Sequence, residues 1–175
     1  IMIYVFLADG FEETEAIAPI DMLRRAKLDV KLVGIGTSTP TSSHGIRVTA
    51  DLTEAETKLD SSVQLIVLPG GMPGTLNLEK SPVVQSAIKY CVEKGIPVGA
   101  ICAAPSILGK LGLLNGRKAV CFPGFEQYLT GAEVLNKLCV TDGQFTTACG
   151  AGAAIEFGLE LVKVCLLYTS PSPRD

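Results

Sequence analysis

The stretch GAICAAPSILG (residues 99–109) decides how this 175-residue chain folds, because an apolar strand turns into a helix within it. Small and apolar residues lead up to Cys102, and Pro105 follows at a position suited to the first turn of a helix. A strand-to-helix turn can display a reactive side chain at the edge of a sheet. Cys102 is therefore either a small buried hydrophobe or a nucleophile, and its position alone allows both.

Apolar runs of strand length alternate with helical patterns around this stretch. The helical pattern predicts helices over residues 15–26 and 82–92, with a kink or a late start of the first helix at Pro19. The predicted strands are apolar almost throughout, as in sheets that are covered on both faces, and they span Met2–Ala8, Val30–Ile35, residues 63–69 and residues 96–102. We therefore expect an α/β fold with a doubly wound, mostly parallel sheet and helices on both faces.

The C-terminal third of the chain adds an antiparallel element. Residues 136–148 predict a small hairpin with Asp142 and Gly143 at its tip, and residues 153–164 predict a final helix. No linker divides the chain, so we expect one domain over residues 1–164. The Ser/Pro-rich stretch CLLYTSPSPRD (residues 165–175) has no core potential, and we expect it to be a non-native tail.

Composition excludes several classes of function. The net charge of −3 and the lack of a basic run argue against nucleic-acid binding, and no apolar stretch is long enough to cross a bilayer. The six cysteines show no metal-ligand spacing, the chain has one histidine, and no glycine-rich stretch has the lysine of a nucleotide-binding loop. We expect no metal, no cofactor and free thiols in a cytoplasmic protein.

Three turns meet at the carboxyl edge of such a sheet, where ligands bind. They are ADGFEETEA (residues 8–16), LPGGMPG (residues 68–74) and the Cys102 turn. A helix N-terminus lowers the pKa of a thiol, and a protonated Glu15 would stabilise the thiolate by donating a hydrogen bond. The Ala103 N–H and the main chain at Gly70 and Gly71 would supply donors for an oxyanion. The turn of residues 8–16 holds three glutamates, Glu12, Glu13 and Glu15. Each of them also fits the simpler role of an acid at the start of a helix.

The order of these motifs, completed by TACGAGAAIEFGLELV (residues 147–162), resembles the ThiJ/PfpI superfamily, in the branch of the parkinsonism-associated protein and its bacterial relatives. The resemblance covers residues 2–164 and implies a flavodoxin-like homodimer. It also implies Cys102 as nucleophile, Glu15 as its acid/base partner, and the Gly71 and Ala103 N–H groups as the oxyanion site. Activities of the branch are a glutathione-independent glyoxalase, a deglycase and a redox-sensitive chaperone.

The chain departs from this family pattern around the site. Phe122 replaces a histidine that some members have near the cysteine, and Cys149 replaces the usual arginine of the last glycine-rich turn. Ala103 stands where peptidase-type members have a histidine, which makes proteolysis a poor hypothesis. His44 aligns loosely with a region that reaches the pocket in some members, although a solvated loop histidine is the simpler interpretation.

Two functions are open on these residues, beside a third hypothesis that the chain is a structural domain that has lost its activity together with the family's arginine and histidine. The first is an enzyme in which Cys102 attacks small carbonyls such as methylglyoxal or glyoxal and Glu15 moves the proton, with Gly70, His44, Phe122 and Cys149 as further pocket residues. The alternative is a redox-sensing or chaperone-like protein in which Cys102 is oxidised without turnover. Both functions need the same thiolate, so the motif does not separate them.

Overall fold

A six-stranded sheet forms the centre of the computed structural model, which describes residues 1–169. The strands are β1 (Met2–Ala8), β2 (Val30–Ile35), β3 (Val63–Leu68), β4 (Val98–Ile101), β5 (Lys118–Ala119), β6 (Glu133–Val134), β7 (Cys139–Asp142) and β8 (Phe145–Ala148). The strand order is β2-β1-β3-β4-β8-β7, and every neighbouring pair is parallel except β7 and β8. Strands β5 and β6 form a separate two-stranded sheet.

Helices cover both faces of the six-stranded sheet and bury its apolar side chains. Val84 of α3 and Ile107 of α4 belong to the core of one face, whereas Leu23 of α1 and Phe157 of α5 belong to the core of the other. This arrangement confirms the predicted flavodoxin-like sandwich. The helices are α1 (Glu13–Arg25), α2 (Gly74–Glu79), α3 (Pro82–Lys94), α4 (Pro105–Lys110) and α5 (Ala154–Thr169).

Of the two alternatives expected at Pro19, a kink or a late start of the first helix, the structure excludes the late start. Helix α1 begins at Glu13, before the predicted residue 15, and Pro19 lies inside it. The Glu12 side chain caps the helix, because its Oε2 accepts a hydrogen bond of 2.8 Å from the Glu15 N–H. Capping by Glu12 thus fixes the start of the helix upstream of the proline.

Strand β4 is shorter than the predicted run of residues 96–102. It begins after Pro97, which has no N–H to donate to a neighbouring strand. It ends before Cys102, whose φ of +67° departs from the extended conformation. The chain therefore leaves the sheet one residue earlier than its apolar pattern indicates.

The C-terminal elements confirm the hairpin and extend the last helix. β7 and β8 pair in antiparallel register, with Cys139 opposite Ala148. Helix α5 follows a short 3₁₀ turn over Ala151–Ala153 and runs to Thr169, past the predicted domain boundary at residue 164. Cys165 is buried in the core, so the helix still packs on the sheet beyond that boundary. Residues 170–175 of the expected tail lie outside the described residues.

The sequence did not predict the two-residue strands β5 and β6 or the short 3₁₀ turns, which carry no periodic pattern. Over residues 1–169, every helix is too short or too polar to span a membrane.

Candidate active site

Cys102 occupies a strained turn between β4 and α4. Its φ of +67° lies in the left-handed region, which costs a residue other than glycine about 1–2 kcal/mol. Hydrogen bonds hold the residue on both sides: its N–H donates to the Ala148 carbonyl at 2.9 Å, and its carbonyl accepts from the Phe122 N–H at 2.9 Å. Two neighbouring segments therefore fix the main chain of this residue in a strained conformation. Such strain is found most often at functional sites.

Glu15 reaches the same turn from the first helical turn of α1. Its side chain is only 1% exposed, and Oε1 has no hydrogen-bond partner of normal geometry within residues 1–169. Burial raises the pKa of Glu15 to about 7, with a further contribution from the negative charge of Glu12, while the Cys102 thiol and the Gly70 peptide group act in the opposite direction. This carboxyl can therefore take up or release a proton near neutral pH.

Gly70 is the point where the carboxyl and the cysteine meet. A β-carbon on Gly70 would overlap Glu15 Oε1 and would lie 2.7 Å from Cys102 Cβ and 2.7 Å from the Ile101 carbonyl oxygen. Contacts that close do not occur between real atoms, so only glycine fits here without a shift of the surroundings. The structure thus brings together Cys102, Glu15 and Gly70, as the sequence led us to expect.

The electrostatics of the thiol differ from the expectation. Burial and the negative charge of Glu15 raise the pKa of the Cys102 thiol, and the hydrogen bond from the Ala103 N–H lowers it by less. The expected readily ionised thiol is therefore not what these surroundings favour while Glu15 carries its charge. The state with a thiol and a carboxylate and the state with a thiolate and a carboxylic acid differ only in the position of one proton. Ionisation of Cys102 thus depends on Glu15 accepting that proton.

The two expected oxyanion donors border this pair. Gly71 has a φ of +96°, and a β-carbon there would lie 2.7 Å from the Gly10 carbonyl oxygen. Within residues 1–169, neither the Gly71 N–H nor the Ala103 N–H donates to a backbone carbonyl. Both donors are thus available to a ligand or, for Ala103, to the neighbouring sulfur.

Main-chain hydrogen bonds place Phe122 and Cys149 next to the Cys102 turn, because Phe122 and Ala148, the residue before Cys149, both bond to Cys102. The Phe122 ring is about half exposed and stacks edge-on against Phe125, with ring centroids 6.5 Å apart. It also lies beside Gly150, since a β-carbon on that glycine would be 3.5 Å from Phe122 Cδ2. Cys149 is partly buried, and its N–H donates to the Leu138 carbonyl at 3.0 Å.

His44 contacts the acidic turn away from the reactive pair. Its Nδ1 lies 2.9 Å from Glu13 Oε1 and 3.8 Å from Glu12 Oε1, and the side chain is 71% exposed. In the described part of the chain, its contacts are with these glutamates and Ser43, not with Cys102 or Glu15. The suggested place of His44 in the pocket is therefore not supported by a contact.

Sequence reasoning missed two features around the site. Glu12, Glu13 and His44 each place a potential metal-ligand atom within 4.8 Å of the others, an arrangement that could hold a divalent cation. The only signal for it was the placement of an isolated histidine in a loop facing an acidic turn. The second feature is the bonding of Cys102 to Ala148 and Phe122, for which a local pattern gives no signal because the contacts are long-range.

Comparisons with known proteins agree with the fold and the motifs. The DJ-1/PfpI family model matches residues 2–164. Protein DJ-1 homolog B of Arabidopsis thaliana is 39% identical over 92% of this chain, although the match spans only 37% of that relative's length. The glutathione-independent glyoxalase DJR-1.2 of Caenorhabditis elegans is 32% identical, over 87% of this chain and 81% of the relative.

Solved structures show the same architecture. The structure of Drosophila melanogaster DJ-1beta has a TM-score of 0.87 and 30% identity, covering 93% of this chain and 88% of the other. A cysteine-to-alanine mutant of the DJ-1 superfamily protein STM1931 of Salmonella typhimurium has a TM-score of 0.88 and 32% identity, covering 94% of this chain and 90% of the other. With its fold, its motifs and a family match over residues 2–164, the chain belongs to the DJ-1/PfpI family.

Proposed function

We propose that this chain is a cysteine-dependent enzyme that converts small reactive carbonyls, such as methylglyoxal and glyoxal, into hydroxy acids without glutathione or another cofactor. The observation that carries the proposal is the meeting of the Glu15 carboxyl and Cys102 at Gly70. A nucleophile beside an acid/base whose pKa is near 7 is the minimum that this reaction needs. A relative that is named as a glutathione-independent glyoxalase supports the same chemistry.

The first step is the attack of sulfur on the aldehyde carbon. The Glu15 carboxylate takes the proton from the Cys102 thiol as the carbon–sulfur bond forms. The aldehyde oxygen becomes an alkoxide, for which the Gly71 and Ala103 N–H groups are the available donors. Because the proton leaves during the attack, the raised pKa of Cys102 does not prevent the step.

The second step moves hydrogen between the two substrate carbons. Glu15 returns the proton of the thiol to the alkoxide, which gives a hemithioacetal and restores the carboxylate. The carboxylate then removes the hydrogen of the former aldehyde carbon as a proton, and an enediolate forms. Transfer of this proton from Glu15 to the neighbouring carbon, while the hydroxyl proton of the first carbon moves to the oxygen of the second, gives a thioester of the hydroxy acid. Water then hydrolyses the thioester, which releases lactate from methylglyoxal or glycolate from glyoxal and restores the thiol. In a deglycase reaction the Cys102 sulfur would instead displace the amine from a hemiaminal adduct or the thiol from a hemithioacetal adduct, and the leaving group would take up a proton.

The alternative is a redox sensor or a chaperone-like protein in which Cys102 is oxidised without turnover. It needs the same proton transfer from Cys102 to Glu15, because peroxide also reacts with a thiolate. The observation that favours the enzyme is the relative named as a glutathione-independent glyoxalase.

We further propose that the chain acts as a cytoplasmic homodimer. Ile17 of α1 and Ile46 are 41% and 52% exposed, and they line one shallow groove beside the acidic turn. Exposed apolar side chains that share a groove are typical of contact surfaces. The free cysteines suit a reducing compartment. Sedimentation of the wild type as a dimer and of Ile17→Glu as a monomer would support this interface, whereas a monomeric wild type would contradict it.

Lactate formation from methylglyoxal tests the enzyme directly. We expect Cys102→Ser and Glu15→Gln to lower kcat/KM by about 100-fold or more, the usual contribution of a positioned acid/base. Cys139→Ser, a matched change of a partly buried thiol outside the site, should retain activity. Equal lactate formation by the wild type and the two site variants would overturn the proposal.

A further inference from the structure

The main chain of Cys102 is hydrogen-bonded to two segments, and each of these segments carries a further cysteine. The Cys102 N–H donates to the carbonyl of Ala148, which directly precedes Cys149. The Cys102 carbonyl accepts from the N–H of Phe122, which directly follows Cys121. The segments that carry Cys121 and Cys149 are therefore both bonded to the residue that displays the nucleophile.

These two segments also contact each other. The Val120 N–H donates a buried hydrogen bond of 3.0 Å to Thr147 Oγ1. Cys121 lies one residue beyond Val120, and Cys149 lies two residues beyond Thr147. Both cysteines line one cavity of about 520 Å³, which opens between the loop after β5 and the segment from β6 to β7. The chain thus holds two free thiols at one cavity on adjacent segments.

The two thiols differ in their access to solvent. Cys121 is 6% exposed, whereas Cys149 is only partly buried. Burial, the Glu126 carboxylate and the charge of Cys149 raise the pKa of Cys121 to about 11, so this residue keeps its hydrogen at neutral pH. An oxidant that enters the cavity therefore meets Cys149 first, with a protonated thiol beside it.

We propose that Cys121 and Cys149 are a redox pair that closes to an intramolecular disulfide when the protein meets a peroxide. Peroxide oxidises the Cys149 sulfur to a sulfenic acid and is itself reduced to water. The Cys121 sulfur then attacks the sulfenic sulfur, and the hydroxyl group leaves as water with the Cys121 proton. The pair loses two hydrogens in total, and a dithiol reductant reverses the change.

Cys139 is the competing partner for Cys149, because the Cys149 N–H donates to the Leu138 carbonyl and the charge of Cys149 raises the pKa of Cys139 as well as that of Cys121. Cys139 lies opposite Ala148 in the β7–β8 ladder. It is not among the described residues that line the shared cavity. The two thiols that share a cavity are therefore Cys121 and Cys149.

Formation of the Cys121–Cys149 disulfide would affect the two segments that are hydrogen-bonded to Cys102. A disulfide would join them covalently near the Val120–Thr147 hydrogen bond that connects them now. This inference does not depend on the carbonyl chemistry of Cys102, since it involves neither Glu15 nor the Cys102 sulfur. Loss of the proposed enzyme activity would leave it standing, and the reverse is also true.

Peptide mapping of the native protein tests the pair. Reduced, desalted protein is treated with hydrogen peroxide, blocked with N-ethylmaleimide and digested without reductant. Trypsin releases residues 119–137 with Cys121, and added Asp-N separates Cys139 from Cys149 by cutting before Asp142. We expect a cross-linked species that joins residues 119–137 to residues 142–163, has lost two hydrogens and disappears after treatment with dithiothreitol.

Variants provide the matched controls. The cross-link should be lost in Cys121→Ser and Cys149→Ser and retained in Cys139→Ser and Cys102→Ser. Three results would overturn the proposal: both thiols still reduced when Cys102 is already oxidised, separate sulfinic acids on the two residues, or a bond from either one to a different cysteine. The map of the wild-type chain decides between these results even if a serine variant does not fold.

Discussion

Glu15 Oε1 and the β-carbon of Cys102 border the same space, the position that a β-carbon of Gly70 would occupy. The acid comes from helix α1 and the cysteine from the turn after β4, and the chain between β3 and α2 passes between them. The absence of a side chain at Gly70 is what allows the carboxyl to approach the thiol. The close approach of the two side chains therefore depends on a residue that has no side chain of its own.

Gly70→Ala should separate the pair. The added methyl group would overlap Glu15 Oε1 and crowd both Cys102 Cβ and the Ile101 carbonyl, so we expect a loss of about 1–3 kcal/mol of stability and of most activity. Urea unfolding and lactate formation measure the two effects. Gly152→Ala is the matched control, because a β-carbon there meets no atom within 4 Å. Normal activity of Gly70→Ala would show that the close approach is not needed.

Glu15→Gln should change how stability depends on pH. An ordinary glutamate releases its proton near 4.5, whereas folded Glu15 keeps its proton until about pH 7. Between these values the folded state binds more protons, so the wild type loses stability as pH rises. Glutamine does not titrate, so the variant does not lose stability in this way. We therefore expect the free energy of unfolding of Glu15→Gln to increase by about 2–3 kcal/mol relative to that of the wild type as the pH rises from 4 to 8. Urea unfolding at both pH values measures this difference, and parallel pH profiles would contradict it.

The left-handed conformation of Cys102 predicts an unusual order of stability among its variants. Glycine adopts a positive φ without strain, so Cys102→Gly should be more stable than Cys102→Ala by about 1 kcal/mol. Lys27, with a φ of +64° just after helix α1, is the matched position. Lys27→Gly should likewise be more stable than Lys27→Ala. Thermal unfolding ranks all four variants. Greater stability of Cys102→Ala than of Cys102→Gly would mean that the turn is not held at a positive φ.

The single histidine gives a direct test of the acidic turn. The hydrogen bond and negative charge of Glu13 raise the pKa of His44, and Glu12 adds to the effect. An NMR titration of the His44 ring should therefore show a pKa above 6.5 that falls in Glu13→Gln. Glu93→Gln, on helix α3, is the control and should leave the titration unchanged. A pKa that does not respond to Glu13→Gln would show that the pair does not form in solution.

The sequence predicted the elements that local patterns encode. Strands β1 and β2 have the predicted bounds, because each is a continuous apolar run, and Cys102 lies at the predicted strand-to-helix turn. The contact of Glu15 with Gly70 was expected from the rule that loops converge at the carboxyl edge of a parallel sheet. The proximity of Glu15 and Cys102 could therefore be predicted from the topology of the sheet.

What the sequence could not predict depends on contacts between distant residues. The start of α1 is set by the Glu12 cap rather than by Pro19, and the end of β4 is set by the bonds that hold Cys102. The raised pKa of the Cys102 thiol results from burial and from the charge of Glu15, and the spacing of residues along the sequence does not reveal either. The approach of Val120 to Thr147 joins segments 27 residues apart, so the neighbourhood of Cys121 and Cys149 also had no local signal.

In the proposed reaction, the bonds from Ala148 and Phe122 to Cys102 have a consequence for repeated turnover. Because both peptide groups of the residue are hydrogen-bonded to neighbouring segments, a substrate would bond to the sulfur and leave it again without a movement of the main chain. No loop would have to re-form before the next substrate molecule binds.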